Sequence, residues 1–176
     1  MSNGHAAPLL KSRTAWRLGW QVALLALIAA LALGVRPGEV SGSSMEPRIA
    51  DDEYVLIDTL AYRMGRPQRG QVVAFQHPSA APEVFLKRIV GLPGDRIAIA
   101  RGTVFVDGRK LLEPYVRFRD ARSYPPLRVP SGAYYVLGDN RVESYDSRAW
   151  GFVPAGDLIG RALFCVWPLA HFGPIR

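Results

Sequence analysis

Two patterns of apolar and polar positions divide this chain near residue 36. Residues 18–35 contain no charged side chain and consist mostly of Leu and Ala. An α-helix of that length spans about 27 Å, close to the thickness of the hydrocarbon layer of a bilayer. The pattern predicts one N-terminal transmembrane helix, a single-pass anchor over residues 18–35, behind a short cytoplasmic tail formed by residues 1–17.

The charges beside this run predict its orientation. Lys11, Arg13 and Arg17 precede the run. By the positive-inside rule, the N-terminus stays in the cytoplasm and the chain after Val35 lies outside the inner or plasma membrane. A cleavable secretory signal is the alternative, because Ala30-Leu31-Ala32 has the small-x-small form of a cleavage site, although the apolar run continues beyond it.

Beyond residue 38 the apolar positions alternate over short runs that proline and glycine separate, which is the pattern of β-strands. Seven runs are predicted as strands: residues 53–58, 71–75, 84–90, 96–100, 103–106, 133–137 and 158–166. Asp107-Gly108 lies between residues 103–106 and residues 109–112 and predicts a tight hairpin turn there. Helical periodicity is poor here, so we expect an all-β domain over residues 38–176, in which residues 107–130 form a small β-ribbon or loop excursion.

Length, charge and cysteine content limit the kinds of function that the chain can have. The 176 residues permit one domain, and the formal net charge of +7 favours an anionic partner. Because the basic residues are scattered and an apolar anchor is predicted, we expect membrane lipid, and no nucleic acid, as that partner. The single Cys165 lies in an apolar run and is predicted to be a core residue. The sequence contains no metal-ligand spacing and no phosphate loop, so we expect no metal and no cofactor. It also lacks the Gly-x-Ser-x-Gly elbow of hydrolases that use a Ser-His-Asp triad.

A candidate nucleophile lies in residues 41–47, which read Ser-Gly-Ser-Ser-Met-Glu-Pro. Small residues surround the hydroxyl groups, Gly42 permits a sharp turn, and Pro47 fixes its own backbone angle. A turn of this kind holds a hydroxyl exposed. The same composition is typical of a flexible linker behind an anchor, so this stretch by itself leaves both interpretations open.

Lys87 is the candidate base for such a hydroxyl. In a strand, Phe85, Lys87 and Ile89 share one face, and an inward orientation of that face buries the amine among apolar groups. Burial disfavours the ammonium, and a lysine that is neutral near pH 7 can act as the general base that serine requires. The alternative, which the strand by itself leaves open, is that Lys87 extends from an edge strand into solvent.

Three stretches resemble, in the same order, the sequence boxes of type I signal peptidases, the leader peptidase family of Ser-Lys serine endopeptidases. The first is residues 41–47, the second is residues 87–95, and the third is residues 138–148. Residues 69–75 also resemble a strand box of that family. The resemblance extends over residues 38–162 and implies an antiparallel-sheet catalytic domain of signal-peptidase type.

By this resemblance Ser44 is the acylated nucleophile, with Ser43 as its rival, and Lys87 is the general base. Ser144 corresponds to the serine that hydrogen-bonds and orients the lysine. The charged residues implied as a scaffold behind the dyad are Arg88, Asp139, Asp146 and Arg148. The Ser44 backbone N–H is the expected oxyanion donor, whereas Gly42 stands where some members supply a second donor from a serine hydroxyl.

The resemblance also implies the substrate. Such enzymes cleave after small residues in Ala-x-Ala sites, and by box alignment the expected pocket residues are Val40, Ile49, Phe85 and Leu86. The implied function is a membrane-bound endopeptidase that removes N-terminal signal peptides from exported preproteins. A specialised processing peptidase with one dedicated substrate fits the same residues. A membrane-tethered, non-catalytic β binding module is a further alternative, but it predicts that a dyad member is missing, and both Ser44 and Lys87 are present.

Overall fold

A computed structural model of the chain describes residues 11–32, 34–76 and 83–175. These residues contain three α-helices, α1 (Lys11–Ala32), α2 (Ala61–Met64) and α3 (Ser147–Trp150). The strands of the first half are β1 (Val35–Glu39), β2 (Tyr54–Asp58), β3 (Val72–Gln76), β4 (Val84–Gly91), β5 (Arg96–Ala100) and β6 (Thr103–Val106). Those of the second half are β7 (Arg109–Lys110), β8 (Tyr124–Arg128), β9 (Ala133–Leu137), β10 (Val153–Pro154), β11 (Leu158–Trp167) and β12 (Gly173–Pro174). Two short 3₁₀ turns cover Ala155–Asp157 and Leu169–His171.

The strands form two antiparallel sheets. The main sheet has the order β1-β2-β11-β3-β4-β9-β10, and β12 pairs with β11 beside it. The second sheet has the order β7-β6-β5-β8. Every described strand pair is antiparallel. The predicted antiparallel all-β class is therefore confirmed for the region after residue 34.

All seven predicted strands are present, with ends that differ from the prediction by one residue at most. The hairpin at Asp107-Gly108 is also present, because both residues have the positive φ that a tight turn between two strands requires. The sequence pattern missed β1 and β8, which contain one and two prolines and lie at sheet edges. Proline lacks the N–H that a central strand donates, and it therefore both hides the strand signal and restricts such strands to edges.

The apolar N-terminal run is divided between two elements. The helix α1 ends at Ala32, Gly34 turns the chain with a φ of 75°, and β1 begins at Val35. Residues 1–10 of the predicted cytoplasmic tail lie outside the described residues. Among the helices that are described, none has the length and apolarity needed to cross a membrane. The transmembrane anchor over residues 18–35 therefore stays a prediction.

The core places β4 at the centre of the molecule. One edge of this strand pairs with β3 and the other with β9. Apolar side chains from β4, β9 and the second sheet share one cluster, which joins the two sheets. A Cβ on Gly91 would lie 2.8 Å from Tyr135 Cβ in this cluster, so only glycine fits there. Cys165 is fully buried, as predicted for a core residue.

Candidate active site

The turn that carries Ser44 is held on both sides. On one side, Met45 and Ile49 are buried in the core, and the Ile49 N–H donates to the Met45 carbonyl over 3.1 Å. On the other side, the Gly42 N–H donates to Asp51 Oδ1 over 2.6 Å. Gly42 has a φ of 93°, a conformation that side-chain-bearing residues rarely adopt. The stretch is a fixed turn, which contradicts its interpretation as a flexible linker.

The Lys87 amine points at this turn. Its Nζ lies 2.7 Å from Ser44 Oγ and also donates to the Leu86 carbonyl over 3.1 Å. Lys87 is 3% exposed, so the alternative in which it extends into solvent is wrong. Burial lowers the pKa of the Lys87 ammonium to about 8, and the negative charges of Asp146 and Asp139 oppose that shift.

The neighbouring serine has a different partner. Ser43 Oγ donates to Glu143 Oε2 over 2.8 Å, at the surface. The Ser44 carbonyl accepts from the Asn140 N–H over 3.0 Å, and this bond attaches the turn to residues 138–148. Of the two rival hydroxyls, only that of Ser44 is hydrogen-bonded to the Lys87 amine.

Gly138 lies where the Ser44 turn meets residues 138–148. A Cβ at this position would lie 2.2 Å from Ser144 Oγ and 2.5 Å from the Ser44 carbonyl oxygen. The Ser144 hydroxyl is buried and has no hydrogen-bond partner among the described residues. The hydrogen bond from Ser144 to Lys87 that the family resemblance implied is thus not formed in this structure, although Ser144 lies beside the dyad.

The four predicted scaffold residues form two ion pairs. Arg88 donates from Nε and Nη2 to the two carboxylate oxygens of Asp139 over 2.8 and 2.6 Å, and both residues are buried. Arg148 binds Asp146 in the same two-bond manner, over 2.8 Å for each bond. Asp146 Oδ2 also accepts from the Gly138 N–H over 3.0 Å. The pairs connect β4 and α3 to the segment that contacts Ser44.

A cavity of about 620 Å³ opens beside the dyad. Its lining includes three of the four predicted pocket residues, Val40, Phe85 and Leu86, together with Ser44 and Lys87.

The prediction that Ile49, the fourth of these residues, lines the pocket was wrong. Its side chain is 0% exposed in the core and does not line the cavity among the described residues. An apolar residue in a turn carries no sequence signal that separates a pocket wall from the core beneath it.

The cavity exposes part of a sheet edge. On the side of β4 that faces β9, pairing begins at Arg88. Of the described strands, none pairs there with residues 84–87, which form one wall of the cavity. Residues 36–41 also line the cavity. The backbone groups of this edge are therefore open to an additional extended segment.

Comparison with known proteins decides the family. The sequence model described as signal peptidase, peptidase S26, matches residues 13–167, which is most of the chain. The chain belongs to the signal peptidase family. The family and the names of its relatives identify it as a serine peptidase, a hydrolase.

Several proteins similar to this peptidase are named as signal peptidases. It is 40% identical to a probable signal peptidase I-2 from a Synechocystis species, over 81% of this chain and 70% of that protein. It is 31% identical to signal peptidase IB of Staphylococcus aureus, over 89% of this chain and 91% of that protein. A crystal structure of a signal peptidase I from Enterococcus faecalis matches 55% of this chain and 96% of its own, at 32% identity and a TM-score of 0.49.

Sequence reasoning missed three charged residues in the scaffold of this peptidase, namely Glu113, Asp120 and Arg141. Arg141 donates from Nη2 to Glu113 Oε1, and both side chains are buried. Arg148 Nη1 donates to Asp120 Oδ2 over 3.0 Å. Both carboxylates come from the connection between β7 and β8, 28 residues away from their partners. Such a separation leaves no local pattern from which the pairs could have been found.

Proposed function

We propose that this chain is a membrane-bound serine endopeptidase that removes N-terminal signal peptides from exported preproteins, with Ser44 as nucleophile and Lys87 as general base. The observation that carries the proposal is the 2.7 Å separation of Lys87 Nζ and Ser44 Oγ in a buried site. A nucleophile and its base lie within such a distance in enzymes that use this chemistry. The relatives named signal peptidase I support the choice of substrate.

In the proposed reaction Lys87 accepts a proton from Ser44 and then donates it to the departing amine. Neutral Lys87 takes the hydroxyl proton as Ser44 Oγ attacks the scissile carbonyl carbon, and the ammonium then protonates the departing amine. The signal peptide stays attached to Ser44 as an ester. Water, deprotonated by Lys87, hydrolyses that ester and restores the Ser44 hydroxyl. The Ser44 backbone N–H is the proposed donor to the oxyanion, and Gly42 has no hydroxyl that could add a second donor.

The resting protonation of Lys87 suits this role. With a pKa of about 8, a minority of the amine is neutral at pH 7 in the empty enzyme. A peptide that fills the cavity removes further water from the amine, and loss of water disfavours the charged form. Substrate binding therefore generates more of the base at the position where it acts.

The cavity supports cleavage beside small side chains. A peptide that adds as a strand to β4 gains backbone hydrogen bonds from the unpaired edge, whatever its sequence. Every second side chain of such a strand faces the apolar surface formed by Leu86 and Val40, whereas Phe85, the neighbour of Leu86, lies on the other face of β4. A close wall excludes bulky side chains, so residues such as alanine are favoured on either side of the intervening one.

A membrane location follows from the predicted anchor and is supported by the surface. Trp167, Leu169 and Phe172 are exposed near the end of β11, and Trp side chains favour the boundary between lipid and water. An anchor confines the site to the extracytoplasmic membrane face at which signal peptides emerge, which raises the effective concentration of both reactants.

Cleavage of a preprotein with an Ala-x-Ala site by the full chain in detergent tests the proposal. We expect Ser44→Ala and Lys87→Ala to lose nearly all activity, on the order of 10³-fold or more. Ser43→Ala is the matched control, because it removes a neighbouring hydroxyl that bonds to Glu143 instead of Lys87. Activity that survives in Ser44→Ala would contradict the nucleophile assignment, and a preprotein left uncleaved by wild type would contradict the substrate.

A further inference from the structure

The outer face of the second sheet carries a group of cations. Directly opposite residues on antiparallel strands point to the same side of a sheet. Arg96 of β5 lies opposite Arg128 of β8. Lys110 of β7 lies opposite Phe105 of β6, which itself lies opposite Ala98 of β5. We name Arg96, Lys110 and Arg128, with Phe105 between them, the basic face.

The opposite side of these strands is apolar and buried against the main sheet. Its residues are Ile97, Ile99, Val104 and Val106. The three cations of the basic face are exposed, and the salt bridges of the described residues include none of them. Asp107, in the adjacent turn, uses Oδ1 to accept from the Arg96 backbone N–H over 2.9 Å. The sheet therefore presents positive charge to solvent without a carboxylate on its strands.

The strand register places two like charges opposite each other, and a bound anion would remove the repulsion between them. Like charges directly opposite each other on paired strands destabilise the pair. Arg96 and Arg128 are in this position, and both are exposed. An anionic group between the two guanidinium groups converts the repulsion into two attractive contacts. The arrangement thus fits a partner that offers many negative groups on one surface.

Two exposed apolar side chains in the connection that follows β7 indicate the nature of that partner. Leu112 is 82% exposed and Phe118 is 46% exposed in the connection between β7 and β8. Arg117 and Arg119 flank Phe118, and both are exposed. Cations next to apolar side chains are typical of segments that lie in the headgroup region of an anionic bilayer. The predicted anchor keeps this face outside the cytoplasm and beside a bilayer, which favours lipid over nucleic acid as the partner.

We propose that the basic face, together with Leu112 and Phe118, binds the anionic phospholipid surface of a membrane. The cations contact phosphate groups, and the two apolar side chains enter the layer of headgroups. This contact adds to the anchor predicted at the N-terminus and to the membrane contact proposed near the end of β11, and it restricts the orientation of the peptidase on the bilayer.

The test measures whether the rim of the basic face enters the bilayer. Leu112→Cys is labelled with a fluorophore in the full chain, which is possible because Cys165 is buried. The labelled chain is reconstituted into vesicles of phosphatidylcholine, alone or mixed with phosphatidylglycerol, that contain nitroxide-labelled lipid. We expect strong quenching in the mixed vesicles, weak quenching in phosphatidylcholine alone, and loss of the difference in high salt.

A matched pair of variants identifies the cations responsible. The double variant Arg96→Gln, Arg128→Gln removes two charges from the basic face. We expect the equilibrium constant for contact between the sheet and the mixed vesicles to fall by about 25-fold, because each cation contributes about fivefold. Arg63→Gln with Arg66→Gln removes the same charge near α2 and leaves quenching unchanged.

Equal quenching in both kinds of vesicle overturns the proposal, and so does an equal loss in both double variants. Equal quenching is also the result if the basic face binds an acidic protein instead of lipid. The measurement involves no peptide cleavage, so its failure leaves the assignment of Ser44 and Lys87 untouched.

Discussion

The Lys87 amine is a base only after burial has lowered its pKa to about 8. The neutral form is the active one, so activity is expected to rise with pH and to level off above this value. We expect kcat/KM to fall about tenfold for each pH unit below 8, because it reports the free enzyme. We expect the midpoint for kcat to lie lower, since bound peptide excludes more water. A kcat/KM profile that is flat between pH 6 and 8 would contradict Lys87 as the base.

Gly138 tests how closely the residues beside the dyad are packed. In Gly138→Ala the new Cβ would lie 2.5 Å from the Ser44 carbonyl oxygen, which belongs to the backbone and cannot rotate away. Restoring an ordinary contact needs a shift of about 1 Å, and such a misplacement costs on the order of 100-fold in rate. The measurement is kcat on a peptide substrate.

Gly156→Ala is the control for that change. Its Cβ would meet nothing within 4 Å, and Gly156 is not among the residues with positive φ. We expect wild-type kcat for this variant. If Gly138→Ala were equally active, the turn would be more tolerant of displacement than its contacts indicate.

At the scale of the elements, the ion pair between Arg88 and Asp139 attaches β4 to the segment beside Ser44. Arg88→Gln leaves the Asp139 carboxylate buried without its cation, which costs about 3–5 kcal/mol in the free energy of unfolding. Arg122→Gln is the matched control, because the Arg122 side chain of the pair with Asp120 is 66% exposed. We expect the control to change stability by less than about 1 kcal/mol, as exposed pairs do. Denaturation by urea measures both, and equal effects would contradict the prediction.

The elements also differ in how well they can be predicted from the sequence. Alternation of apolar residues is local, so strands such as β5 and β9 were predicted at their observed ends. Two prolines conceal β8, although an edge position tolerates them. The strand pattern left both burial and extension into solvent open for Lys87, and only the packing of the whole sheet decides for burial. The direction of the Ser144 hydroxyl, by contrast, depends on a rotamer and on distant contacts, which no local pattern encodes.

At the scale of the whole molecule, the two sheets share one apolar cluster. Val104 of β6 is buried in it with Val90 of β4 and Leu137 of β9. Val104→Ala therefore loses packing that belongs to both sheets, at a cost of about 2 kcal/mol.

Amide hydrogen exchange in Val104→Ala, under conditions of global unfolding, measures that coupling. We expect protection of β9 to decrease as much as protection of β6, because the two elements unfold together. Tyr62→Phe, which removes only a hydroxyl bonded to Gln71 beside the main sheet, is the control. A decrease in Val104→Ala that is confined to the second sheet would mean that the two sheets unfold independently.

The open edge of β4 has a consequence for which proteins can be cut. Residues 36–41 and 84–87 both line the cavity, and the edge of β4 at residues 84–87 is open to one added extended strand. A polypeptide that is already folded presents helices or intact sheets, whose backbone groups are already paired and cannot bond to this edge. Under the proposed function, the peptidase therefore acts on a cleavage site that is still unfolded, before that stretch of the exported preprotein becomes structured.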